Sequence, residues 1–169
     1  RYHFNKGNLA QAVDAFALAL DINPLHSDVW FTMGCAQMRL ERYEDAASTF
    51  SRCIGVNDEN GEAWANLAAT HSAQGKLQEA RNCMVEATRR CREMWKMWES
   101  FLGICMQLRD VQGCLQAMRR LVELEQVGRL QERVLGMITQ AVIGDSGGLY
   151  DHRTGRAFAG QLEEFFKYV

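Results

Sequence analysis

Tryptophan recurs in this sequence at a constant interval of 34 residues, at Trp30, Trp64 and Trp98. An isolated amphipathic helix repeats its apolar residues about every 3.6 positions, so the longer interval needs another explanation. A period of about 20 to 50 residues is typical of chains built from stacked structural units. We therefore divide the chain into units that start at Ser27, Gly61 and Trp95, which places each tryptophan at position 4.

Four further positions of the unit keep their character along the chain. Positions 8, 20 and 27 are mostly small, which lets two helices approach closely, and position 24 is bulky and apolar. Position 8 holds Gly34 and Ala68. Position 20 holds Ala12, Ala46, Ala80 and Cys114, and position 27 holds Ala19, Cys53 and Ala87. The bulky residues are Phe16, Phe50, Met84 and Met118, and the pattern departs at Leu102 and Leu121.

This pattern resembles the tetratricopeptide repeat (TPR), which has two helices, A and B, in each unit. The TPR also favours proline at position 32, where it stops helix B. Pro24 fits this preference, whereas Asp58, Arg92 and Gln126 do not. The resemblance implies an all-α fold, a TPR α-solenoid of antiparallel helix pairs wound into a right-handed superhelix.

The frame predicts a TPR array over 1–128, with a partial first repeat at 1–26 and repeats at 27–60, 61–94 and 95–128. Residues 129–169 are expected to form a degenerate repeat or capping helices, with a loop insertion at 144–155. We predict helices at roughly 8–22, 26–40, 43–56, 61–74, 77–91, 95–108 and 111–126. Turns are expected at Gly7-Asn8, Glu41-Arg42, Gly75-Lys76 and Arg109-Asp110. Ser27 or Asp28 is expected to cap the helix at 26–40, and Asp110 the helix at 111–126.

Residues 144–148 (GDSGG) match the sequence around the nucleophile of chymotrypsin-like proteases. That chemistry needs a histidine base and a buried carboxylate held in place by β-barrels. A helical repeat offers no such framework. The six cysteines include no CxxC pair and no zinc-ligand spacing with histidine. We therefore expect no catalytic residue, no metal, no cofactor and no small-molecule substrate.

The bulk properties exclude other classes. A net charge of −2 gives no general attraction for nucleic acid or anionic lipid. The sequence contains no run of about 18 apolar residues, so no membrane partner is expected. We predict a cytoplasmic protein, with the nucleus as a second location.

Function is expected on the helix A faces, which line the concave side of a curved array. Positions 2, 5, 6, 9 and 12 should face this groove, with small residues in its middle and methionine deeper in. We define the candidate groove as Asp28, Phe31, Thr32, Cys35, Met38, Glu62, Ala65, Asn66, Ala69, Lys96, Glu99, Ser100 and Gly103.

One TPR subclass grips the C-terminal carboxylate of chaperones with lysine, asparagine and arginine at five fixed positions. Here those positions hold Phe31, Cys35, Asn66, Lys96 and Ser100, so only two of five match. The first lysine and asparagine, which supply charge-assisted hydrogen bonds, are missing. Direct binding of a chaperone C-terminal tail is therefore disfavoured.

A closer resemblance concerns the tetratricopeptide repeat protein 27 family. It is carried by residues 23–36 (NPLHSDVWFTMGCA), 50–54 (FSRCI), 60–67 (NGEAWANL) and 94–100 (MWKMWES), and it extends through 134–143. The resemblance implies a fragment of a larger intracellular protein without enzymatic activity. It also implies a role in assembling other complexes, including chaperone-linked maturation of spliceosomal particles.

Three functional hypotheses remain open. The first is a scaffold whose groove binds a helical or extended segment of a partner protein. The second is a structural spacer or dimerisation module that uses the apolar N-terminal edge or the phenylalanine-rich last helix. The third is RNA binding, although the basic residues of the helix B segments are interleaved with acidic ones and form no dense stripe.

Overall fold

The computed structural model describes residues 2–124, with side chains from residue 7 onward, and this part of the chain is helical. Seven helices follow one another: α1 (Tyr2–Ile22), α2 (Ser27–Arg39), α3 (Tyr43–Val56), α4 (Gly61–Ala73), α5 (Leu77–Arg90), α6 (Trp95–Leu108) and α7 (Val111–Glu123). Each packs against its neighbours in sequence, and α2 also touches α4. The predicted degenerate repeat at 129–169, with its loop at 144–155, lies outside the described residues.

The small and bulky repeat positions meet where the two helices of a pair cross. Ala46, Ala80 and Phe50 are completely buried, and Cys114 is 1% exposed. Gly34 leaves no room for a side chain, because a Cβ atom built there would lie 2.7 Å from the Phe50 ring. The prediction that positions 8, 20 and 24 are packing positions is therefore confirmed for the three complete pairs, including Leu102, which is 1% exposed.

The turn from helix A to helix B has the same backbone form in each pair. Glu41, Gly75 and Arg109 are 34 residues apart, and all three have a positive φ, at 62°, 75° and 57°. The residue after each donates its amide hydrogen to a carbonyl five residues earlier, at 2.9 Å in all three turns. These contacts form the Schellman arrangement that satisfies the last carbonyl groups of a helix.

The turn from helix B to the next helix A is held by the repeated tryptophan. The indole Nε1 atoms of Trp30, Trp64 and Trp98 donate hydrogen bonds to the carbonyl oxygens at position 32, which belong to Pro24, Asp58 and Arg92, at 2.7, 2.9 and 2.8 Å. Helix B ends at equivalent residues in the first three units (Ile22, Val56 and Arg90) although only one unit has proline. The indole contact therefore accompanies the same turn with or without proline.

The expected turn at Gly7-Asn8 is wrong, because α1 runs without interruption from Tyr2 to Ile22. Gly7 does not adopt the positive φ of Gly75, and nothing lies within 4 Å of a Cβ built at Gly7. Continuing the helix through Gly7 satisfies the backbone hydrogen bonds locally.

The packing positions of α1 are less buried than those of the later helix B segments. Ala12 and Phe16 are half-buried and Ala19 is exposed, whereas the equivalent residues of the later pairs are buried. The aliphatic residues Leu18, Ile22 and Leu25 are 67%, 87% and 74% exposed. We call Leu18, Ile22 and Leu25 the α1 edge.

One of the two predicted helix caps differs from the structure. The N-cap of α2 is His26 and makes no side-chain capping bond, so the expectation for Ser27 or Asp28 is wrong. Asp110 caps α7 as predicted, since its Oδ1 accepts from Gly113 N at 3.0 Å. Its Oδ2 also accepts from Arg81 Nε of the preceding pair at 2.6 Å, which ties the two pairs together.

Two buried thiols lie between α6 and α7. Cys105 is completely buried and Cys114 is 1% exposed. Burial raises the pKa of both thiols to about 12, with nearby negative charge as the further cause. A thiolate is therefore strongly disfavoured at both positions in the folded chain.

We expect Gly75→Ala to lower the free energy of unfolding by about 1 kcal/mol, because the left-handed backbone penalises a Cβ atom. Gly55, exposed within α3 with nothing near its Cβ position, is the matched control. Gly55→Ala should instead raise stability by about 0.5–1 kcal/mol through helix propensity. Urea denaturation of both variants checks the signs, and two changes of the same sign would contradict this assignment.

We expect Cys105 and Cys114 to resist iodoacetamide at about pH 8 in the native chain and to react after denaturation. Because their folded pKa lies above the unfolded value, their contribution to stability is complete below about pH 9 and is lost as the pH rises towards 12. The double variant Cys105→Ala/Cys114→Ala should therefore lose less stability than the parent between about pH 8 and 10.5. Equal losses in urea titrations would show that these thiols do not titrate as proposed.

Candidate functional site

The candidate groove begins on α2, where apolar and polar residues divide clearly. Phe31 contacts the Phe50 ring edge-on, with centroids 6.0 Å apart. Together with Cys35 and Met38 it packs against the cluster formed by Ala46, Phe50 and Leu67, and each of the three keeps part of its surface exposed. These three side chains therefore serve the core and leave a partly apolar surface.

The polar part of the α2 face comprises Asp28 and Thr32, both exposed. Thr32 Oγ1 donates to the carbonyl oxygen of Asp28 at 2.8 Å, a bond within the helix. The Asp28 carboxylate accepts a long hydrogen bond of 3.5 Å from Ser27. Both groups thus remain accessible to a ligand.

The α4 face is joined to α2 by a side-chain contact. Asn66 Nδ2 lies 3.9 Å from Cys35 Sγ, so the candidate groove residues of neighbouring pairs meet here. Burial raises the pKa of the Cys35 thiol, and the charge of Glu62 raises it further, which places that carboxylate near Cys35. Ala69 is exposed and Ala65 is half-buried, so the middle of this surface is lined by small side chains.

The α6 face carries the only lysine of the candidate groove. Lys96 Nζ lies 5.7 Å from the centroid of the Trp95 ring on the same helix. Ser100 is exposed, whereas Glu99 and Gly103 are half-buried. At this end the surface is therefore polar and carries charges of both signs.

Position 13 was missed by the sequence analysis. Arg39, Ala73 and Gln107 occupy it in the three pairs, and all three are exposed. Position 13 lies four residues after position 9 and therefore on the same face of the helix. Extending the periodicity by one residue would have found them.

A shallow depression of about 450 Å³ lies away from this surface, between the A-to-B turns of the first two complete pairs. It is lined by Glu41, Arg42, Tyr43, Glu44, Asp45, Gln74 and Lys76. An ion pair of 2.7 Å joins Arg42 to Asp45 within it. Among residues 2–124 no group of three or more histidine, cysteine, aspartate or glutamate side chains is arranged to hold a metal ion.

None of the helices in the described part of the chain has both the length and the apolar character needed to cross a membrane.

The sequence profile of the tetratricopeptide repeat family matches residues 31–82, which cover most of the first complete pair and most of the second. Over 143 residues the chain is 35% identical to the tetratricopeptide repeat protein 27 homolog of Dictyostelium discoideum, a match that covers 85% of this chain and 17% of that protein. The chain spans 11% to 17% of the length of four curated relatives that it matches.

Solved structures support the same architecture. A crystal structure of MamA superposes with a TM-score of 0.68 at 14% identity, covering 97% of this chain and 94% of that one. The first TPR of Spaghetti (RPAP3), bound to an HSP90 peptide, gives a TM-score of 0.59 at 20% identity, covering 63% of this chain and 85% of that one. At these identities the likeness concerns the fold alone. Together with the repeat geometry, these matches show that the chain belongs to the tetratricopeptide repeat proteins, as an all-α TPR solenoid that resembles the tetratricopeptide repeat protein 27 family.

Proposed function

We propose that this chain is a protein-interaction scaffold whose candidate groove binds a helical or extended segment of a partner protein. The observation that carries the proposal is the division of the helix A surface. On α4, Ala63, Leu67 and Ala68 are buried against other helices, whereas Glu62 and Ala69 are exposed. Small and partly apolar surfaces of this kind admit a guest segment without displacing the core.

A solved structure with a similar fold supports a peptide as the guest, since the TPR of Spaghetti (RPAP3) is bound to an HSP90 peptide. At a finer level we propose that binding serves the assembly of a larger complex. A link to chaperone-assisted maturation of spliceosomal particles rests on the resemblance to the tetratricopeptide repeat protein 27 family alone.

A directly clamped chaperone tail is not the guest that we propose. Phe31 stands where the clamp uses lysine, and its ring packs against Phe50. Cys35 stands where the clamp uses asparagine, and its thiol contacts Asn66. Neither residue supplies the charge-assisted hydrogen bonds that hold a terminal carboxylate.

RNA binding gains no support from the arginines of α5 and α7. Arg81 pairs with Asp110, Arg90 with Glu86, and Arg120 with Glu93 and Glu123, at distances of 2.6 to 2.7 Å. Arginines held in such pairs contribute less to a basic stripe for phosphate groups.

A bulky cation in the middle of the candidate groove should block the guest. We expect Ala69→Arg to abolish the capture of partners that the wild-type chain crosslinks in cells, as read by proximity crosslinking and mass spectrometry of the full-length protein. Asn82→Arg, exposed on α5, is the matched control and should capture the same partners. Both surface changes should alter stability by less than about 0.5 kcal/mol. Unchanged capture by Ala69→Arg would remove the groove from the proposal.

A second candidate function is self-association, which the α1 edge favours. Leu18, Ile22 and Leu25 form an exposed aliphatic surface, at positions that hold the exposed residues Arg52, Val56 and Glu59 in the next unit. Burial of such a surface contributes about 25 cal/mol per Å² of apolar area.

This candidate predicts a dimer whose mass in light scattering depends on concentration. Leu18→Ser/Ile22→Ser should then yield a monomer, because the aliphatic contact is lost. Val56→Ser, at the position equivalent to Ile22 but only 36% exposed in the wild-type chain, is the control and should leave the dimer intact. A monomer at every concentration would exclude the α1 edge as a dimer contact.

A further inference from the structure

We infer that the guest segment is basic where it crosses the first two complete pairs, with lysine or arginine side chains beside Asp28 and Glu62. This inference rests on the proposed function and adds the chemical class of the guest. The occupant is a protein segment with basic residues towards one end and apolar residues over Phe31, Cys35 and Met38.

The position of the two carboxylates is the first support. Asp28 and Glu62 occupy position 2 of neighbouring units, in the first turns of α2 and α4. Both are exposed, and the contact of Asn66 with Cys35 joins their helices. The two acids therefore stand on the same side of the candidate groove, next to its partly apolar floor.

The second support is a contrast in charge pairing. Asp45, Asp58, Glu86, Glu93, Asp110 and Glu123 form ion pairs with arginines of helix B or of the turns. In the part of the chain that the structure describes, no lysine or arginine forms an ion pair with Asp28 or Glu62. These two groove carboxylates thus keep their charge available for a ligand.

Their charges also act on neighbouring thiols, Cys35 in the groove and Cys53 in the core. After burial, the charge of Glu62 is the next cause of the raised pKa of Cys35, and the charge of Asp28 acts in the same way on Cys53. At position 2 the first two units therefore present carboxylates that attract a cation, with Arg39 at position 13 of α2 as the positive charge on the same face. Lys96 places a positive charge at position 2 of the third unit, three residues before the carboxylate of Glu99.

A phage-displayed library of random 12-residue peptides provides the test, with the wild-type chain as bait. We expect enriched peptides to carry lysine or arginine near one end. The affinity of a selected synthetic peptide should fall at least about tenfold in Asp28→Lys/Glu62→Lys, since each exposed pair contributes about two- to fivefold and reversal adds repulsion. The loss should shrink at about 0.5 M salt, where the charges are screened.

The matched control is Glu44→Lys/Glu79→Lys, which makes the same change in net charge. Glu44 and Glu79 are exposed and lie in the first turns of the helix B segments α3 and α5, at positions 18 and 19 of their units. This control should bind the selected peptide within about twofold of wild type. Thermal melts of both double variants establish that they are equally folded.

The possible failures are distinguishable. If peptides are enriched and Ala69→Arg blocks them, but they are neutral or acidic, the basic character is wrong and the groove proposal survives. Equal weakening of binding by both lysine double variants would likewise overturn the basic character and leave the groove proposal standing. If no peptide is enriched by wild type over Ala69→Arg, the groove proposal and this inference both fall.

Discussion

A Cβ atom at Gly34 would lie 2.7 Å from the Phe50 ring, and this contact shows the constraint on which the array depends. Two helices of a pair must cross closely enough for a bulky residue of one to fill the space beside a glycine or alanine of the other. Ala46 and Ala80 satisfy the same requirement and are completely buried. Each pair then presents an apolar side on which the next pair packs, so stability is distributed along the chain.

Because this packing uses a fixed set of positions in each unit, it could be predicted from the sequence. A small residue at a crossing and a bulky residue between units have local steric causes, and their recurrence every 34 residues reveals them. The Trp64 hydrogen bond to the Asp58 carbonyl oxygen could not be predicted from the sequence, since it depends on backbone geometry at the turn. Proline at position 32 was expected to end helix B. In two units helix B ends at the equivalent residue without proline.

The errors arise where neighbouring structure overrides a local signal. Gly7 stands where Gly75 follows a helix A, but the chain continues there as helix. Ala19 is exposed, although its equivalents Cys53 and Ala87 are completely buried. In the candidate groove the sequence indicated which positions share a face. It could not show that Phe31 and Met38 divide their surface between the core and solvent, because that depends on how far the pairs are rotated about each other.

The division between packing and free positions also explains how one fold accommodates guests of different charge. Substitutions at Gly34 or Ala80 disturb the crossing itself, so the solenoid restricts them. Position 2 makes no such contact: it holds Asp28, Glu62 and Lys96 in three successive units whose helices otherwise end and pack alike. The charge at this position can therefore change without loss of the fold, whereas some carboxylates on helix B, such as Glu86 with Arg90, are held in ion pairs. Specificity in this chain is accordingly expected to reside in the free first-turn charges, with the apolar floor supplying affinity that discriminates little between segments.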